Sequence, residues 1–181
     1  MNKNRPEKNL LDKLPEKLRD RIIRIVFPFL TAYDSNGNIQ KNTFWTSIPE
    51  AWRNRFGIEM FREISKELRR CERKDVRALC IKEKFGVIDV TLTSYPGKIL
   101  DILRKYIQIS AKVCYKCGGD ADGHTISWIY PMCGECFEAM DDKSKRRLGF
   151  KFDINDPLEY DNDEYDYGHN VPKHPIHGEY D

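Results

Sequence analysis

The chain has no apolar run long enough to cross a bilayer. Its greasiest stretch, Ile22 to Leu30, is broken by Arg24 and Pro28 and falls far short of the roughly 20 residues a span needs. It opens on MNKNRPEKNLLDKLPEK, with charges where a secretory signal carries its apolar region, so export is not expected. There is no internal repeat and no heptad run. Nor is there a nucleophile–base pair, a phosphate-cradling loop or an open metal position, so no enzymatic activity is expected. These absences leave a soluble cytoplasmic protein as the expectation, with no membrane partner.

What is present is charge and a core. The 181 residues suit one domain with an appendage. Hydrophobic residues make up 40% and charged residues 33%, the latter above the roughly 25% of an average soluble domain. The net charge of +2 hides a division. Residues 152–181 hold nine acids and one base, Lys173, leaving residues 1–151 with 30 bases and 20 acids. A body of +10 thus carries a tail of −8, and near-neutrality does not exclude a polyanionic partner.

Periodicity divides the body. Pro15 suits a helix start, and Leu18, Ile22, Ile25, Val26 and Phe29 repeat on one helical stripe that Pro28 should end or bend. Asn36-Gly37 signals a tight turn of a small hairpin. A second helix is expected from about Ile58 to Cys71, with Ile58, Phe61, Ile64, Leu68 and Cys71 on its apolar stripe. Val76 to Leu92 reads as two strands around Glu83-Lys84-Phe85-Gly86, with Leu79 and Ile81 alternating inward and Ile88, Val90 and Leu92 on the returning strand. A third helix fits Lys98 to about Lys112, with Ile99, Ile102, Leu103, Tyr106 and Ile109 sharing a face. Trp45, Trp52 and Phe56 are expected as core or interface anchors, and Cys71 and Cys80 as core packing.

The strongest chemical signal is Cys114-Tyr-Lys-Cys117, fifteen residues, then Cys133-Gly-Glu-Cys136. Two residues between cysteines let one tight turn aim both sulfurs at a single ion, and the spacer is long enough for a hairpin to bring the second pair back. Gly118 and Gly119 stand where a knuckle turn needs positive φ. Disulfides need an oxidising compartment, and a redox CxxC would sit beside a thioredoxin-like βαβ pattern that is absent here. Structural Zn2+ is the leading reading, with an iron–sulfur cluster the other four-thiolate one. Four thiolates close the coordination sphere, so the metal holds the fold and activates no water. Cys136 to Leu148 reads as one helix stopped by Gly149.

The expected fold class is α+β: helices with a central β-hairpin and a C-terminal treble-clef or zinc-ribbon-like module. The divisions are 1–46, an N-terminal helical region; 47–113, a helix–hairpin–helix core; 114–151, the zinc module; and 152–181, an acidic, flexible tail.

Ile48-Pro49-Glu50-Ala51-Trp52, Lys82-Glu83-Lys84-Phe85-Gly86, the helix end running into Cys114-Tyr115-Lys116-Cys117-Gly118, and Trp128 ahead of Cys133 form a pattern. It resembles a family of short phage and prophage proteins with I-P-x-x-W, K-E-K-F-G and C-x-x-C-G followed by C-x-x-[CH]. The likeness covers about residues 47–137 and implies a fold and a phage-like setting rather than a defined activity. The closing position, often histidine in that family, is Cys136 here. The module is also faintly similar to that of HNH nucleases, with Gly123-His124-Thr125 where those carry Asp-His-Ile. The acid before His124 is absent and Phe137 replaces a polar residue, so His124 reads as a loop histidine.

Residues 53–84 hold eleven Lys or Arg against six acids. Arg62, Lys66, Arg69, Arg70, Arg73, Lys82 and Lys84, with Lys143, Lys145, Arg146 and Arg147 at the end of the last helix, are the candidate contacts to a nucleic acid or partner. The tail interleaves Tyr160, Tyr165, Tyr167 and Tyr180 with acids, either disordered or mimicking phosphates in a partner's basic groove. His174 and His177 have metal-like spacing but read as incidental.

The expected function is that of a non-catalytic zinc-binding phage or prophage protein. It would engage a nucleic acid, or a host protein or ribonucleoprotein complex that handles one; inhibition of a host defence nuclease, in the manner of an anti-CRISPR, is the most concrete form. A zinc-finger DNA-binding accessory or transcriptional factor and a degenerate HNH-type nuclease are the alternatives.

Overall fold

The computed structural model describes residues 5–152; the acidic tail beyond Phe152, with its tyrosines and His174 and His177, lies outside them. Both helices and small antiparallel sheets are present, so the fold is α+β.

Helix α1, Glu16–Val26, follows Pro15 and stops two residues before Pro28, whose ring cannot continue the ladder. Strands β1, Thr31–Tyr33, and β2, Ile39–Thr43, pair antiparallel. Gly37 at φ 81° closes their turn, and Asp34 accepts the Asn36 and Asn38 backbone N–H groups at 2.9 and 2.8 Å. Residues 5–46 therefore hold a hairpin as well as helix.

The next helix starts earlier than periodicity implies. A short α2, Glu50–Trp52, runs through a π-helical stretch, Arg53–Gly57, into α3, Ile58–Arg70. The wider π turn rotates the chain between the two α segments, so Trp52 before it, Phe56 within it and Met60, Phe61 and Ile64 after it all face inward. A residue-by-residue 3.6 repeat cannot carry that rotation.

Strands β3, Ala78–Lys84, and β4, Val87–Leu92, form an antiparallel hairpin with Ile81 opposite Val90. A register shift between Ala78 and Cys80 turns Leu79 outward, where it is 55% exposed instead of buried. Helix α4, Ile99–Ser110, packs on β4 and α3 with Ile99, Leu103 and Tyr106 buried. Ser110 seals this contact: its hydroxyl accepts the Ile88 N–H at 3.0 Å and donates to the Ile107 carbonyl at 2.8 Å.

One apolar cluster unites these elements around Phe61, whose ring is ringed by Phe27, Phe29 and Trp45 at centroid distances of 5.8, 5.8 and 5.9 Å. Phe61→Ala would cost about 3–5 kcal/mol. Trp45, Trp52 and Phe56 are core residues. Cys71 and Cys80 are not: both are half-buried, Cys71 beside the Arg70 guanidinium and Cys80 opposite Thr91 on the hairpin's outer face.

The α1 stripe differs most. Asp20, Ile23 and Phe27 go inward, whereas Leu18, Ile25 and Val26 are 46%, 71% and 50% exposed. Asp20 is buried because Thr43 Oγ1 donates to it at 2.8 Å and Arg19 lies 3.7 Å away, which satisfies its charge.

A second, smaller cluster gathers Cys114, Ala121, Met132, Cys133 and Phe137. Strand β5, Gly123–Thr125, pairs with β6, Pro131–Met132, on one side and β7, Phe150–Lys151, on the other. The expected long helix is two, α5, Gly134–Glu138, and α6, Asp142–Leu148. The Asp141 carboxylate caps α6, accepting the Ser144 N–H at 2.9 Å, and this cap starts a new axis. Gly149 at φ 63° ends it.

Candidate metal centre

The four cysteines of the two pairs converge. The Sγ atoms of Cys114, Cys117, Cys133 and Cys136 all lie within 4.8 Å of one another. A tetrahedral ion with metal–sulfur bonds of about 2.3 Å has sulfur–sulfur edges of about 3.8 Å, and Cys117 and Cys133 stand 3.8 Å apart. The donor set fits a metal ion.

Local hydrogen bonds build each pair. The Gly118 N–H donates to the Cys114 carbonyl at 2.9 Å and the Cys114 N–H to the Gly119 carbonyl at 2.8 Å, a knuckle that Gly118 closes at φ 73°. A Cβ at Gly118 would run into the Ala51 carbonyl oxygen at 2.7 Å, so the knuckle sits tight against α2. Cys133 immediately precedes α5 and Cys136 lies in its first turn. The Tyr115 N–H donates to the Pro131 carbonyl at 2.8 Å, and the Gly134 N–H to Asp122 Oδ1 at 2.7 Å, stitching the two pairs together.

Burial pushes the Cys114 thiol up to about 11. Burial, reinforced by Cys133, also pushes Cys136 up. Cys117 goes the other way, because the hydrogen bond from the Gly119 backbone and its neighbouring thiols outweigh its burial. Crowded sulfurs resist carrying several negative charges unaided; a cation at the centre replaces their protons.

Arg5 is the part of this site that spacing does not mark. Its guanidinium lies 4.0 Å from Cys136 Sγ and 3.3 Å from Glu135 Oε2, and the charges of Cys117 first and Cys136 second raise its affinity for its proton. It is 130 residues from Glu135 in the chain, so only the fold brings it there. A cation beside thiolates offsets the negative charge of a four-sulfur complex.

The candidate contact residues divide. Arg62, Lys66 and Arg69 are exposed on one helical face of α3, at i, i+4 and i+7. None of the three forms an ion pair among the described residues. Arg70 is committed to Glu67, with Nε at 2.9 Å and a terminal nitrogen at 2.7 Å, and Arg73 to Asp75, with both contacts at 2.7 Å. Arg69 and Arg73 line a groove of about 920 Å³ with Ile25, Val26, Leu68 and Val76. Lys82 is exposed opposite Asp89, and Lys84 sits 5.8 Å from the Phe85 ring. Lys145 pairs with Glu138 at 2.8 Å; Lys143, Arg146 and Arg147 are exposed. Two other bases of residues 53–84 are paired: Arg53, largely covered, with Asp12 at 3.0 Å, and Arg55, on the surface, with Asp120 at 3.2 Å.

His124 lies on β5 rather than in a loop, half-buried, with Pro131 and Lys151 as its strand partners. No helix among the described residues is long and apolar enough to cross a membrane. Compared with known protein families, curated proteins and solved structures, the chain matches none.

Proposed function

We propose that this chain is a non-catalytic, zinc-held binding protein of phage or prophage type that engages nucleic acid in the bacterial cytoplasm. The observation that carries the reading is the Arg62, Lys66 and Arg69 stripe: three exposed cations at helical spacing, with no ion partner among the described residues. Glu59 shares this face, which keeps a net charge of +2, and exposed cations free of ion pairs on one rigid helix face are available to phosphates.

The metal assignment is zinc. Four thiolates from two CxxC pairs suit it, and they leave no coordination position for a reacting water. The knuckle at Cys114–Gly119, the β5–β6 hairpin and a helix that begins at the second pair support a treble-clef-like reading of the module. The central β3–β4 hairpin with α4 behind it joins this module to the body.

The test is fluorescence anisotropy with labelled single- and double-stranded DNA and RNA at two salt concentrations. Binding should weaken with salt in proportion to the phosphates neutralised, and Arg62→Glu with Lys66→Glu should lose most of the affinity. Absence of binding to every nucleic acid would overturn the reading. The inhibitor form, in which the chain captures a host nucleic-acid-handling complex, draws on the acidity of residues 153–181. Truncation at residue 152 separates the two: it should raise nucleic-acid affinity if the tail screens the body, and abolish capture of a host complex if the tail is the phosphate mimic.

A further inference from the structure

We infer that the loop between β5 and β6 displays a stacking platform for single-stranded nucleic acid, with Trp128 at its centre, Phe85 on the adjoining hairpin tip, and cations on the two elements that touch the loop. The inference rests on the nucleic-acid reading above and assigns it a strand type and a site.

Trp128 is 59% exposed and its loop neighbour Ile126 is 60% exposed. The loop is not loose. The Thr125 hydroxyl donates to the Trp128 carbonyl and accepts the Tyr130 N–H at 2.9 Å. The Ile126 and Ser127 N–H groups both donate to the Leu148 carbonyl, at 3.0 and 2.9 Å, and Ser127 Oγ donates to the Arg147 carbonyl at 2.8 Å. A backbone this fully bonded holds the indole outward at little further entropic cost on binding. Behind it, Tyr130 lies 6.4 Å from the Trp128 ring and 4.4 Å from Tyr115, an aromatic backing that runs back to the metal knuckle.

The same bonds identify one of these elements. Ser127 ties the loop to the end of α6, where Arg146 and Arg147 are exposed without an ion partner among the described residues. The acids of that helix, Asp141 and Asp142, stand at its other end. The tip of the β3–β4 hairpin also abuts the loop, since a Cβ on Gly86 would meet Ile129 at 3.1 Å and Pro131 at 3.2 Å. That tip carries Phe85 at φ 50°, 39% exposed, with the Lys84 ammonium 5.8 Å from its ring. Asparagine or glycine relaxes such a turn; a phenylalanine there bears backbone strain. The acid of the turn, Glu83, is half-buried and accepts the Gly86 N–H at 2.7 Å, closing the turn.

Exposed aromatics with cations on the adjoining elements match the alternation of base and phosphate in a single strand. Duplex bases have their faces already stacked and offer the aromatics nothing. The three tryptophans make the test direct, because Trp45 and Trp52 are fully buried and Trp128 alone of the three is open to a quencher.

Full-length protein is titrated with a thymidine oligonucleotide, with the matching duplex and, separately, with anionic phosphatidylserine vesicles, reading tryptophan emission and anisotropy. The single strand should quench Trp128, and Trp128→Ala should weaken single-strand binding by about ten-fold, within the about 5- to 150-fold of one stacked base. Duplex binding should change less than two-fold, with zinc content and far-ultraviolet dichroism unaltered. Phe85→Ala should act in the same sense, and Arg146→Ala with Arg147→Ala should flatten the salt dependence. Single-strand affinity indifferent to both Trp128→Ala and Phe85→Ala overturns the platform while leaving binding through α3 standing. Quenching by vesicles but not by oligonucleotide overturns it in favour of a lipid surface. Loss of every nucleic-acid interaction in the wild type is a failure of the broader reading.

Discussion

The Trp52 indole Nε1–H donates to the Val113 carbonyl at 3.0 Å, 61 residues away and one residue before the first metal-site cysteine. Both residues are buried, and the Trp52 ring meets Tyr115 edge-on at 5.9 Å. One side chain thus anchors the entrance of the metal knuckle to the start of the long helix. Trp52→Phe keeps most of the volume and removes the donor, leaving a buried carbonyl unpaired. The expected cost is about 1–3 kcal/mol, read as a lower urea midpoint, together with faster metal transfer to a chelating dye. An unchanged midpoint would show that the contact is incidental.

Freshly purified, reduced protein should carry one zinc per chain by elemental analysis. Structural zinc contributes on the order of 10–16 kcal/mol in small fingers, so Cys114→Ser or Cys136→Ser should melt at least the Met132, Phe137 and Phe150 packing around the site. Arg5→Ala should leave the stoichiometry intact and speed zinc loss several-fold, because the cation near Cys136 and Cys117 is gone. Protein isolated without metal would sink the assignment.

Glu67 joins the end of α3 to the start of α4. Its carboxylate receives Arg70 and the Lys98 backbone N–H at 2.7 Å, and a Cβ on Gly97 (φ 57°) would collide with it. The Arg70 hydrogen bonds first, then that of Lys98, hold it down at about 2 against an ordinary 4.5. A depressed carboxylate stabilises the fold above its unfolded value, so this contribution is complete above about pH 4.5 and fades as pH falls towards 2. Glu67→Gln should therefore destabilise at pH 7, lose that deficit progressively below about pH 4.5, and converge with the wild type only once the pH falls below about 2. Parallel urea midpoints at all pH values would refute the coupling.

Nuclease activity should be absent. Four thiolates leave no open metal position, Phe137 is buried where a polar residue would act, and His124 is held on β5. Labelled single- and double-stranded DNA and RNA incubated with magnesium or manganese should remain intact. Metal-dependent cleavage that disappears in His124→Ala would reinstate the HNH reading.

Where structure follows from a few adjacent residues, the sequence alone determined it. The CxxC pairs, the Asn36-Gly37 turn, the helix stop before Pro28 and the inward face of Ile99, Leu103 and Tyr106 are consequences of short-range backbone geometry. Tertiary structure decided whatever depended on a distant partner. α1 carries two apolar stripes, and Ile23 and Phe27 won burial over Leu18 and Ile25 because Thr43 and Arg19 could satisfy Asp20 on that side. The π turn and the outward Leu79 shift periodicity by amounts no repeat encodes. Arg5 reaches Cys136, and Ser127 reaches the Arg147 carbonyl, only once separate segments are packed together. Periodicity specifies which residues share a face; the neighbours available to cover a face and neutralise its charges determine whether it is buried.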